Sequence, residues 1–305
     1  MMIMMRASNG GASAERKLTS AELSVLSNGG LTGTAAAEVN NAVEMLTQQC
    51  MQAKGLVYYP NIIAAGEMSS PGPSIAGVPQ AYFSLAAREA DGYGMYTRAI
   101  RAPAVPSGAQ VADKEDQYVA SLPQRVQDAY MIALQGPASS RVTLRLPGGA
   151  TSTAPSGGCQ GDAQRRIYGS VTNYVLALTG ASILNVMLLN SVTADPAFET
   201  VISDWSACMK KRGYDYESPR KLWNTLAGQI AKAPIPAMRE LEIKTAVADY
   251  KCSAAVKLLP TVRALQEQHA RQLSGTLLSD LISITQIEAT ALKNARSLHL
   301  NDYRD

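Results

Sequence analysis

The sequence is poor in the residues and spacings that most enzymes need. It carries two histidines, His269 and His299, thirty residues apart in one helical pattern, too far along a single helix to share a site. No Gly-x-Ser-x-Gly elbow, His-Glu-x-x-His zinc helix or Gly-x-x-x-x-Gly-Lys-Ser/Thr phosphate loop is present, which removes the hydrolases and nucleotide enzymes that such motifs mark. His269 reads as a helix-face residue and His299 as part of a fraying helix end, neither with an evident partner. The carboxylate pairs Asp113/Glu115 and Glu240/Glu242 are spaced for opposite or oblique helix faces and read as solvated. What stays open on the catalytic side is an envelope-acting hydrolase whose two carboxylates meet only in the fold.

Charge is scarce as well. Only 17% of the residues are charged, the net charge is +3, and the basic residues are scattered along the chain in runs no longer than three, so the dense positive stripe that nucleic-acid binding requires is missing. Phe (2) is far outnumbered by Tyr (13), a bias that suits surfaces and helix interfaces where one end of the ring stays wet. Short Cys-x-x-Cys clamps are lacking too. Cys50, Cys159, Cys208 and Cys252 are too widely spaced for a structural zinc site, and neither metal nor cofactor is expected. An even number of cysteines in such a chain fits oxidised pairs and an extracytoplasmic compartment, with four buried thiols in a cytosolic protein as the alternative. No address for export is visible: residues 1–6 (MMIMMR) lead directly into a polar run at 7–17, without an apolar core, a cleavage site or a lipobox cysteine. Association with a membrane would come through a signal or anchor removed from the chain.

What is present is helical punctuation. With 46% hydrophobic residues among 305, the chain can bury a core without help from a metal. Residues 1–18 read as a disordered N-terminal segment and 19–305 as one domain: mainly α, a disulfide-stapled helical bundle with long Pro/Gly-rich loops and at most a minor strand pair. Thr19-Ser20-Ala21-Glu22 is a capping box that opens a short helix stopping at Gly29-Gly30. A second helix begins after Gly33 with Thr34 as its cap, sets Val39, Val43, Leu46 and Cys50 on one face, and stops at Gly55. From residue 60 to 158 prolines and glycines break the chain. Helices are expected there only near 79–90 and 122–134, and residues 142–146 alternate like a strand in need of a neighbour. Helix resumes over 160–190. Its uncharged part, 171–189, is apolar enough to be a borderline membrane span, but Asn173, Asn185 and Asn190 favour a central helix surrounded by protein. Asp195-Pro196 opens the next helix, which ends at Gly213. A short helix near 222–230 and a long pattern over 236–298, kinked or divided at Pro260, complete the chain.

The most specific feature is an internal repeat. Gln49-Cys50-Met51-Gln52-Ala53-Lys54-Gly55-Leu56-Val57-Tyr58 aligns with Ala207-Cys208-Met209-Lys210-Lys211-Arg212-Gly213-Tyr214-Asp215-Tyr216. Both copies place Cys-Met near a helix end, a basic residue before Gly, and Tyr three residues after it. A cation facing open carbonyls, a Gly able to take φ > 0 and a Tyr folding back over the cysteine give one C-cap mechanism. Two pseudo-repeats, about 34–190 and 191–298, are expected from this. Each copy is followed by a further cysteine, Cys159 in Gly157-Gly158-Cys159 and Cys252 in Ala248-Asp249-Tyr250-Lys251-Cys252. That order favours Cys50 with Cys159 and Cys208 with Cys252, with Cys50–Cys208 as the rival connectivity. Ligation of a soft metal by Cys-Met is the weaker reading, because adjacent helical residues point about 100° apart.

These motifs resemble a group of actinobacterial secreted proteins and lipoproteins with repeated Cys-Met-x-x-x-Gly motifs. The residues that carry the resemblance are Cys50-Met51 with Gly55, Gly157-Gly158-Cys159, Trp205-Ser206-Ala207-Cys208-Met209 with Gly213-Tyr214, and Ala248-Asp249-Tyr250-Lys251-Cys252. It spans about residues 34–273. It implies a helical fold and an envelope or extracellular location, and brings no activity or catalytic residues with it.

With no reaction specified, the expected function is non-enzymatic: a helical scaffold that presents its Pro/Gly/Ser-rich region to a protein or peptide partner in the cell envelope. Tyr58, Tyr59, Tyr82, Tyr93, Tyr96 and Tyr216 form the candidate binding surface. Protection of the producer against a secreted antimicrobial is a further reading of the same scaffold.

Overall fold

The computed structural model describes residues 17–63, 74–75, 78–79, 84–101 and 114–298. Most of the expected disordered segment, with Tyr82, Asp113 and His299, lies outside them. The described chain is a helical bundle with two short antiparallel strand pairs.

Local sequence explains most boundaries. Helix α1 (Ser20–Asn28) opens on a complete capping box: the Glu22 N–H donates to Thr19 Oγ1 at 3.2 Å and the Thr19 N–H to Glu22 Oε2 at 2.8 Å. Helix α2 (Gly33–Ala53) starts one residue before the expected cap, with Thr32 at the N-cap position and no side-chain capping bond. In the Pro/Gly-rich region stand β1 (Ser74–Ile75) and β2 (Val78–Pro79), α3 (Leu85–Asp91), α4 (Met95–Arg101), α5 (Lys114–Ser121) and α6 (Gln124–Gln135). The partner that residues 142–146 needed is supplied by the next segment, so that β3 (Arg141–Arg145) pairs with β4 (Thr151–Pro155) in a hairpin.

The helix expected over 160–190 is broken. Gly169, in the left-handed region, ends α7 (Gly158–Tyr168), and the Ser170 hydroxyl caps α8 (Val171–Val175) by accepting the Asn173 N–H at 2.9 Å. A π-helical turn (Leu176–Gly180) joins α8 to α9 (Ala181–Thr193). Length and a hydropathy of 1.8 would let Val171–Thr193 cross a bilayer. Here it packs one face on α1 and its neighbours, and Asn185 donates to the Leu26 carbonyl at 2.8 Å. It is not enclosed on all sides, because Leu178 and Val186 on the far face are 49% and 48% exposed.

Asp195 caps α10 (Pro196–Lys211) as expected, accepting the Ala197 N–H at 2.9 Å. After α11 (Pro219–Lys232) the long C-terminal pattern divides into α12 (Pro236–Ala255), α13 (Leu258–Arg271) and α14 (Gly275–Ser297). The first break falls at Lys257, whose φ is 55°, and Pro260 sits in the opening turn of α13, where a missing N–H costs nothing.

The two cysteine motifs build the same object twice. Disulfides join Cys50 to Cys159 and Cys208 to Cys252. At the end of α2 the Leu56 N–H bonds the Met51 carbonyl and the Gly55 N–H the Gln52 carbonyl; at the end of α10 the Tyr214 N–H bonds Met209 and the Gly213 N–H bonds Lys210. Both are Schellman turns, with Gly55 and Gly213 at φ 74° and 86°, conformations that cost a side chain energy. The likeness continues past the turn. Gln48 Nε2 donates to the Tyr58 carbonyl at 3.3 Å, and Ser206, at the equivalent position, donates to the Tyr216 carbonyl at 2.7 Å. In both copies the methionine is fully buried.

Two main cores result. One gathers α1, α9 and α10 to α13 around Trp205, Leu226 and Leu265. The other gathers α2 and α7 around Ala42 and Ile167. Helix α14 serves both, with Leu281 and Ile284 in the first and Ala291 and Ala295 in the second. Smaller clusters sit at the first disulfide and beneath the hairpin.

If the two turns are equivalent, Gly55→Ala and Gly213→Ala should cost the same. No atom lies within 4 Å of a Cβ at either site, so the penalty is the backbone alone, about 1–2 kcal/mol each by urea unfolding. A variant that lost nothing would show that its turn is not held in this conformation.

Candidate functional site

The described members of the expected tyrosine surface do not gather on one exposed face. Tyr58 and Tyr93 are buried, Tyr96 and Tyr216 are half-buried, and Tyr59 is 42% exposed. They also divide between two places. Tyr58 and Tyr59 lie on the segment that returns from α2, near Tyr118 and Tyr130. Tyr93, Tyr96 and Tyr216 pack with α10 and α12.

Around Tyr93 is a polar network that the sequence concealed. Glu242, on α12, accepts the backbone N–H groups of Tyr93, Met95 and Tyr96 at 2.8, 2.8 and 2.9 Å. It thus supplies an anionic cap to the open donors at the start of α4. Asp249 accepts from the Tyr93 hydroxyl at 2.7 Å, Trp205 Nε1 at 2.9 Å and Ser253 at 3.1 Å. The Arg88 guanidinium lies 4.3 Å from the centre of the Tyr93 ring. Burial, then Asp249, pushes the Tyr93 hydroxyl well above its ordinary range, so it stays a donor. Glu242 is therefore not solvated, as its spacing from Glu240 suggested; Glu240 is, paired with Lys244 at 2.6 Å. Trp205 and Asp249 each stand three residues before a bridged cysteine, so this bond and the Cys208–Cys252 bridge link α10 to α12 on successive turns. These bonds of both carboxylates go to groups that hold α4, α10 and α12 in register.

His269 also has a partner that sequence spacing did not show. Its Nε2 lies 3.0 Å from Asp195 Oδ2, joining α13 to the capped start of α10.

The place where chemistry gathers is a cavity of about 280 Å³ between the turn that joins α1 to α2, the face of α2, α7, the π-helical turn and α14. Its construction begins at the first Schellman turn. Beyond Gly55 the chain runs back along α2 and is pegged to it by a ladder of polar side chains one turn apart. Gln48 holds the Tyr58 carbonyl, Glu44 Oε2 accepts the Tyr58 hydroxyl at 3.0 Å and the Asn61 N–H at 2.8 Å, and Asn41 makes paired 2.9 Å bonds with the backbone of Ile63. This return segment brings Ile63 to the cavity rim. Tyr168 and Tyr174, edge to face with ring centres 5.3 Å apart, form part of the wall. Leu178, from the π-helical turn, lines it as well, and such turns are common at functional sites.

One carboxyl points this cavity toward function. Glu288 lines it while being only 6% exposed, and Oε1 accepts the Leu31 N–H at 3.2 Å. Its approach to the turn depends on Gly30, because a Cβ there would stand 2.7 Å from Glu288 Oε1. Burial raises the Glu288 carboxyl from 4.5 to about 7, partly offset by the Leu31 N–H. An apolar cavity with a perturbed carboxyl in its wall is the usual form of a ligand site. Among the described residues no group of side chains is suited to hold a metal ion. The chain matches no family model, no curated protein and no solved structure. The signal for Glu288 was available in the sequence: it occupies the stripe Leu281, Ile284, Glu288, Ala291, Ala295 that α14 buries, where a charge is out of place.

The raised Glu288 carboxyl predicts a pH dependence of stability. Below pH 4.5 it is protonated in both folded and unfolded chains, and its contribution is complete. Between 4.5 and about 7 only the unfolded chain ionises, so stability falls as pH rises, and above that it levels off. The loss is on the order of 3 kcal/mol. Glu288→Gln should gain relative to the native chain as pH rises through this window, read as the urea midpoint against pH. Parallel curves for the two proteins would contradict a buried, proton-holding Glu288.

Proposed function

We propose that the protein is a non-enzymatic, extracytoplasmic binding protein that holds a small, largely apolar molecule in the cavity beside Glu288. The observation that carries this reading is the combination in one place of apolar walls, two tyrosine rings and a single deeply buried carboxyl. The volume suits a molecule of modest size rather than a protein segment. A binding role is favoured over hydrolysis by what the carboxylates do. Glu44 also lines the cavity, but one of its oxygens is engaged by Tyr58 and Asn61 in holding the return segment. Two disulfides with no free cysteine among the described residues support an oxidising compartment, in keeping with the resemblance to secreted actinobacterial proteins and lipoproteins. Sequestration of a secreted antimicrobial, as a self-protection protein would perform, is one use of such a cavity.

Binding is tested with phenylbutanol, a neutral probe of suitable size, by titration calorimetry on the disulfide-intact chain. Saturable one-to-one binding is expected, weakened about tenfold or more, a loss of at least about 1.4 kcal/mol, by Ala36→Phe, which fills the cavity from α2. Leu178→Trp, at a half-exposed wall position, should act in the same direction with less risk to folding. Absence of binding, or binding indifferent to both substitutions, would refute a ligand site here.

A further inference from the structure

The charge pattern of the cavity goes further than its volume. The residues lining it include two acids, Glu44 and Glu288, and no lysine, arginine or histidine. Glu288 is nine-tenths buried, and the Leu31 N–H on Oε1 is its one hydrogen bond among the described residues. Among the described residues no cation pairs with it. An ionised carboxylate buried in this way lacks the counter-charge that buried ions usually have. The neighbouring walls are Tyr168 and Tyr174, whose aromatic faces stabilise cations and accept apolar groups alike.

From this placement we infer that the cavity selects organic ammonium ions: ligands with an apolar body and one cationic head that pairs with the Glu288 carboxylate beside the two tyrosines. The inference rests on the cavity being a ligand site and adds the chemical class of the ligand. Anionic ligands are disfavoured twice, by Glu288 and by Glu44. Neutral ligands of the same shape gain the apolar contacts but leave the carboxylate without a counter-ion. The Leu31 N–H and the close approach at Gly30 hold the carboxyl against the α1–α2 turn, so the head of the ligand is expected at that end and its apolar body toward Leu178 and the opening.

The experiment compares three probes that share one body, phenylbutylammonium, phenylbutanol and phenylbutyrate, by titration calorimetry at about pH 8, where the Glu288 carboxyl is ionised. The ammonium ion is expected to bind at least about tenfold more tightly than the alcohol, and the carboxylate most weakly. Glu288→Gln, which keeps an acceptor for the Leu31 N–H, should abolish the preference for ammonium over alcohol; Ala36→Phe should weaken all three. Equal binding of alcohol and ammonium by the native protein, or an ammonium preference that survives Glu288→Gln, would overturn the assignment while leaving the cavity as a ligand site. Failure of all three probes would overturn both.

Discussion

The arrangement that the first half depends on is the covalent anchoring of one helix end. Cys50 lies in the last turn of α2 and is bonded to Cys159 in the first turn of α7. From that point the two helices run antiparallel, so that Leu46 and Ala42 meet Ala163 and Ile167 in one core. Constraint at one end of the pair sets the spacing at the other, and the other end is the cavity. The adjoining Schellman turn matters equally, because it reverses the chain so that residues 56–63 lie along α2 and reach the cavity rim. A bridge across 109 residues restricts the unfolded chain, by about 5 kcal/mol on the chain-entropy view. Its local effect on the walls of the cavity is of more consequence for binding.

The second copy of the motif shows how the same turn is put to another use. Around Cys208 the cap, the glycine conformation and the bond to the returning tyrosine carbonyl all recur. The partner cysteine, however, stands near the end of α12 rather than at the start of a helix, and the space around Trp205 is filled by Asp249, Tyr93 and their bonded neighbours. The hollow beside Cys208 is lined by Asp204, Lys211 and Arg212 as well as Ala207 and Val256, so it is charged where the first cavity is largely apolar. The burial of Glu242 and Asp249 is matched by several hydrogen bonds apiece, whereas Glu288 has one among the described residues. The difference separates a carboxylate that organises helices from one with capacity left for a ligand.

Much of this was legible from residue order. The capping box at Thr19, the cap at Asp195 and the paired glycine stops rest on local rules whose residues are contiguous, and the favoured disulfide connectivity followed from the order of the two cysteine motifs along the chain. What escaped was of two kinds. The break at Gly169 carries a local mark, a glycine stop followed at once by a serine cap, but it lies within one long helical pattern; the break at Lys257 falls inside a strongly helical stretch where periodicity carries no interruption. The polar interior escaped because Glu242 was read as solvated and Glu288 was not singled out, although both stand on stripes that their helices bury, and because His269 finds Asp195 only across 74 residues. Tyr58 and Tyr93 erred in the opposite direction, for an abundance of tyrosine says nothing about which rings a return segment or a neighbouring helix will cover.

The dependence of the cavity on the first disulfide is tested most directly by amide hydrogen exchange on the chain with Cys50→Ser and Cys159→Ser. Exchange should quicken selectively in α2, α7 and the return segment through Ile63, while amides of α10 and α12 beside the intact second bridge keep their protection. Unchanged protection across α2 and α7, or loss spread evenly over the whole bundle, would contradict the view that this one bridge holds the walls of the site.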